Sequence, residues 1–405
     1  MPKKAKKKQK WLRFRHRIVW CLAYSVLYPY TRIKYRVKVK RFKEKPNRQY
    51  LVLSNHQTAL DQFIVGAGIK GPVYYVASED IFSNGWISRL LEWAIAPIPI
   101  KKQATDARAV LNSLRVMKEG GTIALFPEGN RTYSGKTEYI KPAVVGFAKA
   151  LKMPIVLFRI EGGYGVHPRW SDVIRRGKIR AYAHRVVEPE EYLQMSDDEL
   201  YALIVESLYV NEGRIDNPYK KKRLAEYMER AYYVCPDCGL SEFFSDKDLI
   251  TCKKCGKTAR YLPDKTMQGV DCDWPFRFST EWYDYQSKFI NGLDLLQYAD
   301  EPLYTDKTMF SEVKLYDKKY PIAEDATVRL YGDKITVDAK GETYQFPFAE
   351  ISAVSVLGKN KVNIYHNGKL YQLKGEKRFN GLKYVQLYYR AKNILKGGDN
   401  EFLGL

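Results

Sequence analysis

Apolar positions in the first half of the chain follow two periods. Short apolar runs have the length of buried strands: Tyr50-Leu51-Val52-Leu53, Tyr74-Tyr75-Val76-Ala77, Thr122 to Phe126 and Ile155 to Ile160. Between them, apolar residues three and four apart predict helices over Asp61 to Ile69, Ile87 to Ile95, Asp106 to Glu119 and Val144 to Lys152. The third of these stops at Gly120-Gly121, a common helix ending. Residues 33–53 read as strands leading into a loop, and a helix around Asp198 to Val210 closes the series near residue 215. Alternating strands and helices predict an α/β fold class, with a layered domain over residues 32–215 and a largely parallel sheet. Functional loops of such sheets lie at the carboxyl ends of strands.

From about Glu312 the pattern changes to short strands and polar turns. Strands are predicted over Thr327 to Tyr331, Lys334 to Val337, Tyr344 to Phe348, Ile351 to Val356, Lys361 to Tyr365 and Leu370 to Leu373. Gly332-Asp333 and Asn367-Gly368 suit hairpin turns, and a helix over Leu382 to Leu395 follows. Residues 311–397 are thus expected to form a β-rich, barrel-like domain that resembles a small pleckstrin-homology-like barrel in layout alone. Residues 263–310 read as a linker with one helix, Glu281 to Leu295.

The length of 405 residues allows two or three domains, and 45% hydrophobic with 14% aromatic residues excludes a disordered chain. The net charge of +22 is concentrated at one end. Residues 1–50 hold 18 Lys+Arg against Glu44 alone, leaving 50 bases and 45 acids for the rest. Within that segment, Ile18 to Thr31 carries no charge. Fourteen residues are too few to cross a bilayer, which takes about 20. A short apolar, aromatic-rich helix flanked by cations suits the surface of an anionic membrane. Residues 1–31 are therefore expected to act as a basic, amphipathic membrane-association segment. Three other readings compete: a signal peptide, for which Pro29-Tyr30-Thr31-Arg32 offers no small-residue cleavage site; a core helix with a solvated lysine tail; and a nucleic-acid arm, which is the less favoured partner.

Four of six cysteines form two knuckles, Cys235-Pro236-Asp237-Cys238 and Cys252-Lys253-Lys254-Cys255. Paired thiolates at this separation fit a tetrahedral Zn²⁺, so residues 230–262 are expected to be a zinc ribbon with one structural ion. Two disulfides are the alternative, disfavoured in a cytosolic setting. Cys21 and Cys272 have no partner motif.

Candidate chemistry sits on the ends of two predicted strands. Asn55-His56 is followed by Asp61, an imidazole with a carboxylate in reach to orient it as a general base. Phe126-Pro127-Glu128-Gly129-Asn130-Arg131-Thr132 places a Glu and an Arg beside a glycine, suited to holding a polar or phosphorylated substrate. Other matches are set aside. Gly66 to Gly71 fits a dinucleotide fingerprint but follows a helical stretch, and Asn130-Arg131-Thr132 is only formally a glycosylation acceptor. His16, His167, His184 and His366 show no ligand spacing, and Glu161 to Gly165 reads as a flexible loop.

With both blocks in place, residues 15–215 resemble the glycerolphosphate acyltransferase superfamily, and within it the lysophosphatidic acid acyltransferases. Asn55, His56 and Asp61 match its first block; Phe126, Pro127, Glu128, Gly129, Arg131 and Thr132 match its third. The second block usually ends in arginine, where this chain has Lys101, and the fourth keeps Pro154 but has Leu157 where a second proline is frequent. The resemblance implies that His56 and Asp61 are catalytic and that Lys101, Glu128, Gly129, Arg131 and Asn55 serve substrate binding. It also implies an acyl thioester donor, acyl-CoA or acyl carrier protein, and a lysophospholipid acceptor, 1-acylglycerol 3-phosphate, giving phosphatidic acid at the cytoplasmic face of a membrane. Another lysophospholipid or an amine-bearing lipid is the alternative acceptor. A membrane- or nucleic-acid-binding protein without enzymatic activity is the alternative class.

Overall fold

The computed structural model describes residues 10–45, 47–83, 85–100, 107–214, 217–315, 317–397 and 402–404. Lys101 falls outside the described residues. The first domain is built on β1 (Val37–Val39), β2 (Leu51–Ser54), β3 (Val73–Ser78), β4 (Ile98–Ile100), β5 (Thr122–Leu125), β6 (Ile155–Glu161) and β7 (Ile179–Val187). Their order in the sheet is β1-β7-β6-β2-β5-β3-β4. Strands β2 to β6 run parallel, and β7 lies antiparallel to β6 and parallel to β1. The α/β expectation with a largely parallel sheet holds.

Helices α1 (Phe14–Tyr35), α2 (Asp61–Gly68), α3 (Trp86–Ile95), α4 (Ala107–Lys118), α5 (Ala143–Leu151), α6 (Gly163–Val166), α7 (Pro189–Tyr192) and α8 (Asp197–Leu208) surround this sheet. All four residues of β2 are buried, which explains its unbroken apolar run. Alternate side chains serve two cores: Leu51, Leu53, Ile123, Ile155 and Leu157 join α4, α5 and α8 on one face. On the other, Val52, Ala124, Val156 and Phe158 meet α2 and Tyr35.

Three local expectations are corrected. Residues 33–35 continue α1, which ends where Arg36 turns left-handed at φ 50°. Strand β7 escaped notice because its exposed positions break the apolar pattern. The loop read at Glu161 to Gly165 is instead a buried helical turn with Tyr164 in the core.

The cysteine region contains β8 (Val234–Cys235), β9 (Gly239–Leu240), β10 (Phe243–Asp246), β11 (Leu249–Cys252), β12 (Thr258–Tyr261) and β13 (Met267–Val270). Residues 263–310 do not behave as a linker. Strand β13 pairs with β12, and α9 (Ser279–Asn291) buries Trp282 and Ile290. The C-terminal region is an antiparallel half-barrel of β14 (Tyr304–Val313), β15 (Lys319–Leu330), β16 (Lys334–Ala339), β17 (Glu342–Pro347), β18 (Ile351–Leu357), β19 (Lys361–His366) and β20 (Lys369–Gly375). Its order is β17-β16-β15-β14-β20-β19-β18, closed by α10 (Leu382–Leu395). One apolar core runs from Tyr133, Tyr164 and Trp170 through the cysteine region and α9 into this half-barrel. The three parts are packed as one body because Trp282, Tyr232 and Trp170 find no water-facing side.

Candidate active site

Strands β2 and β5 are neighbours in register, Leu53 opposite Leu125, so the loops leaving their carboxyl ends meet. This adjacency joins two motifs that lie 72 residues apart in the chain. His56 Nδ1 is 2.8 Å from Asp61 Oδ2, and the ring stacks on Phe126 at 4.3 Å between centroids. Asp61 is fully buried and accepts three further bonds: from Gln57 N at 2.5 Å, Thr58 N at 2.9 Å and Thr58 Oγ1 at 2.6 Å. Four donors fix the carboxylate, and the carboxylate fixes the ring. Nδ1 is thereby committed as the N–H, leaving Nε2 as the basic nitrogen. Burial lowers the His56 pKa below its ordinary value, with the Asp61 carboxylate acting in the opposite sense. The ring is accordingly neutral, and able to accept a proton, at neutral pH.

Glu128 turns out to be a brace. Its Oε1 accepts from His56 N and its Oε2 from Glu138 N, both at 2.6 Å, and the side chain is buried. Desolvation pushes its pKa well up, against those two backbone donors. Gly129 turns the loop at φ +71°, and Thr132 N closes it by donating to the His56 carbonyl at 3.0 Å. Asn55, expected among the substrate contacts, clamps the backbone of β6. Its Nδ2 donates to Ile160 O and its Oδ1 accepts from Ile160 N, each at 2.8 Å, and it is 1% exposed. It ties the β2 loop to β6.

Arg131 is the cation of the second motif. Among the described residues no carboxylate or carbonyl takes a hydrogen bond from its guanidinium. Burial and the neighbouring Arg169 lower its pKa to about 10, so it stays charged at neutral pH.

Sequence reasoning missed several supports of this site. Gln57 Oε1 accepts from Gly163 N at 2.8 Å, holding α6 beside the His56 loop. Glu138 accepts from Thr132 Oγ1, Tyr133 N and Ser134 Oγ and so shapes the loop after Arg131. Thr58 alone left a readable signal. Thr58 lies three residues before Asp61, the first residue of α2, close enough along the chain for its N–H and hydroxyl to reach that carboxylate.

The four cysteine sulfurs Cys235, Cys238, Cys252 and Cys255 lie within 4.8 Å of one another. Cys235 Sγ and Cys255 Sγ are 3.7 Å apart, and all four are free thiols. That separation is too long for a disulfide and close to the ~3.8 Å edge of a tetrahedron with metal–sulfur bonds of ~2.3 Å. The donor set could hold a metal ion.

Comparison with known proteins bears on the β2–β5 site. Residues 36–161 match the family model of acyltransferases, a stretch that contains both motifs. These residues are an acyltransferase domain. The chain is 21% identical over 169 residues to the 1-acyl-sn-glycerol-3-phosphate acyltransferase of Bacillus subtilis, covering 42% of this chain and 81% of that protein. It is 22% identical over 185 residues to a chloroplastic enzyme of the same name from Brassica napus, covering 43% of this chain and 51% of that protein. A chloroplastic counterpart from Arabidopsis thaliana is 22% identical over 188 residues, with 43% and 49% covered. The chain thus spans about half the length of the two plant relatives. The crystal structure of the 1-acyl-sn-glycerophosphate (LPA) acyltransferase from Thermotoga maritima aligns with a TM-score of 0.37 at 22% identity, over 48% of this chain and 75% of that one.

Proposed function

We propose that this protein transfers a fatty acyl chain from an acyl thioester, of coenzyme A or acyl carrier protein, to the free hydroxyl of 1-acylglycerol 3-phosphate. The observation that carries this reading is the His56–Asp61 pair beside an unpaired Arg131. His56 Nε2 takes the proton of the acceptor hydroxyl as its oxygen bonds to the thioester carbonyl carbon. Asp61 stabilises the imidazolium that results. The carbon–sulfur bond then breaks, and the imidazolium returns the proton to the leaving thiolate. Among the described residues no serine or cysteine is hydrogen-bonded to the His56 ring, whose partner is Asp61, which favours direct transfer. Arg131 supplies a cation for the acceptor phosphate, with Lys101 as its expected companion.

A peripheral position at the cytoplasmic face of a membrane goes with this substrate. Phe14, Ile18, Leu22, Val26, Tyr30 and Ile33 of α1 are exposed at spacings of four and three, which places them on one stripe. Helix α3 adds exposed Trp86, Leu90 and Trp93. The two helices touch, with Arg15 of α1 donating to Trp93 O. An apolar patch of this size, rimmed by arginine and lysine, suits an anionic lipid surface. No helix among the described residues is long and apolar enough to cross a membrane. The four cysteines would hold one structural zinc ion.

Purified protein incubated with a labelled acyl thioester and a panel of lysophospholipids tests the reading. Labelled phosphatidic acid is the expected main product. Transfer only to other headgroups would correct the acceptor, and no transfer to any would refute the proposal.

A further inference from the structure

The segment after α6 lies between the acyltransferase site and the half-barrel, outside residues 36–161. Arg169 in that segment is 3% exposed and stands 4.3 Å over the Tyr133 ring. Its Nη1 donates to the carbonyl of Arg131 itself at 2.9 Å, and its Nη2 donates to Val356 O of β18 at 3.2 Å. Its buried Nε has no hydrogen-bond partner. One guanidinium thus hangs the residue that faces the acceptor from a strand of the half-barrel. Three positions on, in the β18–β19 turn, Lys359 Nζ reaches back across the joint. It donates to Ser171 O at 2.8 Å and to Asp172 Oδ1 at 2.5 Å.

The charges in this joint do not balance. Among the described residues, the only ion pairs made by Arg131, Arg169, Arg175, Arg230 and Lys359 are those of Arg230 and Lys359 with Asp172. Asp61 is consumed by His56, Gln57 and Thr58, and Asp172 is shared between Arg230 and Lys359. Among the described residues no carboxylate bonds Arg131 or Arg169. His167, buried in the same joint, has its pKa held down to about 4 by burial and by Lys359, Arg131 and Arg175, so it adds no charge at neutral pH. Cations in excess, of which Arg169, Arg175 and Arg230 are buried, and an orphaned N–H are the condition an anion relieves.

We infer that the half-barrel completes the acceptor site: a phosphate group sits against Arg131 with Arg169 behind it and Lys359, from the β18–β19 turn, as its third cation. This rests on the acyl-transfer reading for the identity of the acceptor, but the phosphate site itself does not. A phosphate could reach it on the acceptor or on a coenzyme A donor, and the charge count alone suits both. Proximity to Arg131 assigns it to the acceptor.

The test uses the full chain with inorganic phosphate as the probe in calorimetric titration, and steady-state kinetics with each substrate varied. Lys359→Met is expected to weaken phosphate about tenfold and raise the acceptor KM by a similar factor, the loss falling in KM rather than kcat. Lys359→Arg is expected to restore both. Equal phosphate affinity in wild type and Lys359→Met, or no phosphate binding to wild type, overturns the inference. A rise in donor KM with acceptor KM unchanged overturns the assignment to the acceptor. Lys359-dependent phosphate binding in a protein that acylates no phosphorylated acceptor would uphold the site and sink the proposed function instead.

Discussion

Replacing Asp61 by Asn is the sharpest probe of the proposed base. The carboxylate accepts four hydrogen bonds, from His56 Nδ1, Gln57 N, Thr58 N and Thr58 Oγ1. An amide oxygen at the Oδ2 position keeps the two backbone donors. The new NH2 group meets Thr58 Oγ1, a hydroxyl that can turn to accept. The fold should therefore survive, whereas the charge that stabilises the imidazolium is lost. A charge-assisted bond in a buried site is worth about 1.5–3 kcal/mol, and the amide oxygen keeps the His56 tautomer, so the loss is that of the charge. At about 1.4 kcal/mol per factor of ten, kcat should fall by roughly 10–10². The pH profile gives a second reading. Activity needs neutral His56, so it is lost as pH falls through the folded-state pKa, which burial already places below the ordinary value near 6.5. Asp61 opposes that depression, so removing its charge lowers the pKa further and moves the acid limb of kcat/KM to lower pH. Acyl transfer by stopped assay across pH 5–8, with circular dichroism to check folding, measures both. A folded Asp61→Asn protein with kcat within threefold of wild type would refute the reasoning.

Asn55→Ala should cost about 2–4 kcal/mol of stability, since both polar groups of Ile160 lose buried partners; a denaturant midpoint equal to wild type would contradict the clamp. Purified protein should carry one zinc per chain by elemental analysis, and Cys252→Ser should lose it and destabilise the packed core beyond residue 230; full metal content in that variant would exclude the site. Deleting residues 1–31 is a poor test of membrane binding, because Trp11 donates to Ala96 O and His16 is buried. Leu22→Glu with Trp86→Glu alters only exposed positions, and should cut binding to anionic vesicles at least tenfold in a flotation assay while thermal stability holds. Undiminished binding would remove that face from consideration.

The sequence determined the local grammar of this protein. Strand and helix periods in residues 50–160 predicted β2, β3, β5 and β6 and the helices between them, because both sheet faces are covered and each element shows an uninterrupted apolar signal. His56–Asp61 and Cys235–Cys238 were legible because their partners lie within five residues, where chain geometry alone keeps them close. What the sequence could not show are contacts made across the sheet or between distant segments. That Glu128 braces the His56 backbone depends on β2 and β5 being neighbours in register. That Asn55 clamps β6 depends on β6 lying on the other side of β2. The supposed linker at 263–310 became core because Trp282 finds Tyr232 and Phe243 only when three segments pack together. Arg169 and Lys359 carry no motif: Arg169 meets Arg131 within the first domain, and only the seating of the half-barrel brings Val356 to Arg169 and Lys359 to Asp172. Hydrophobic periodicity reports whether a residue is buried; the identity of its neighbour is decided by tertiary packing.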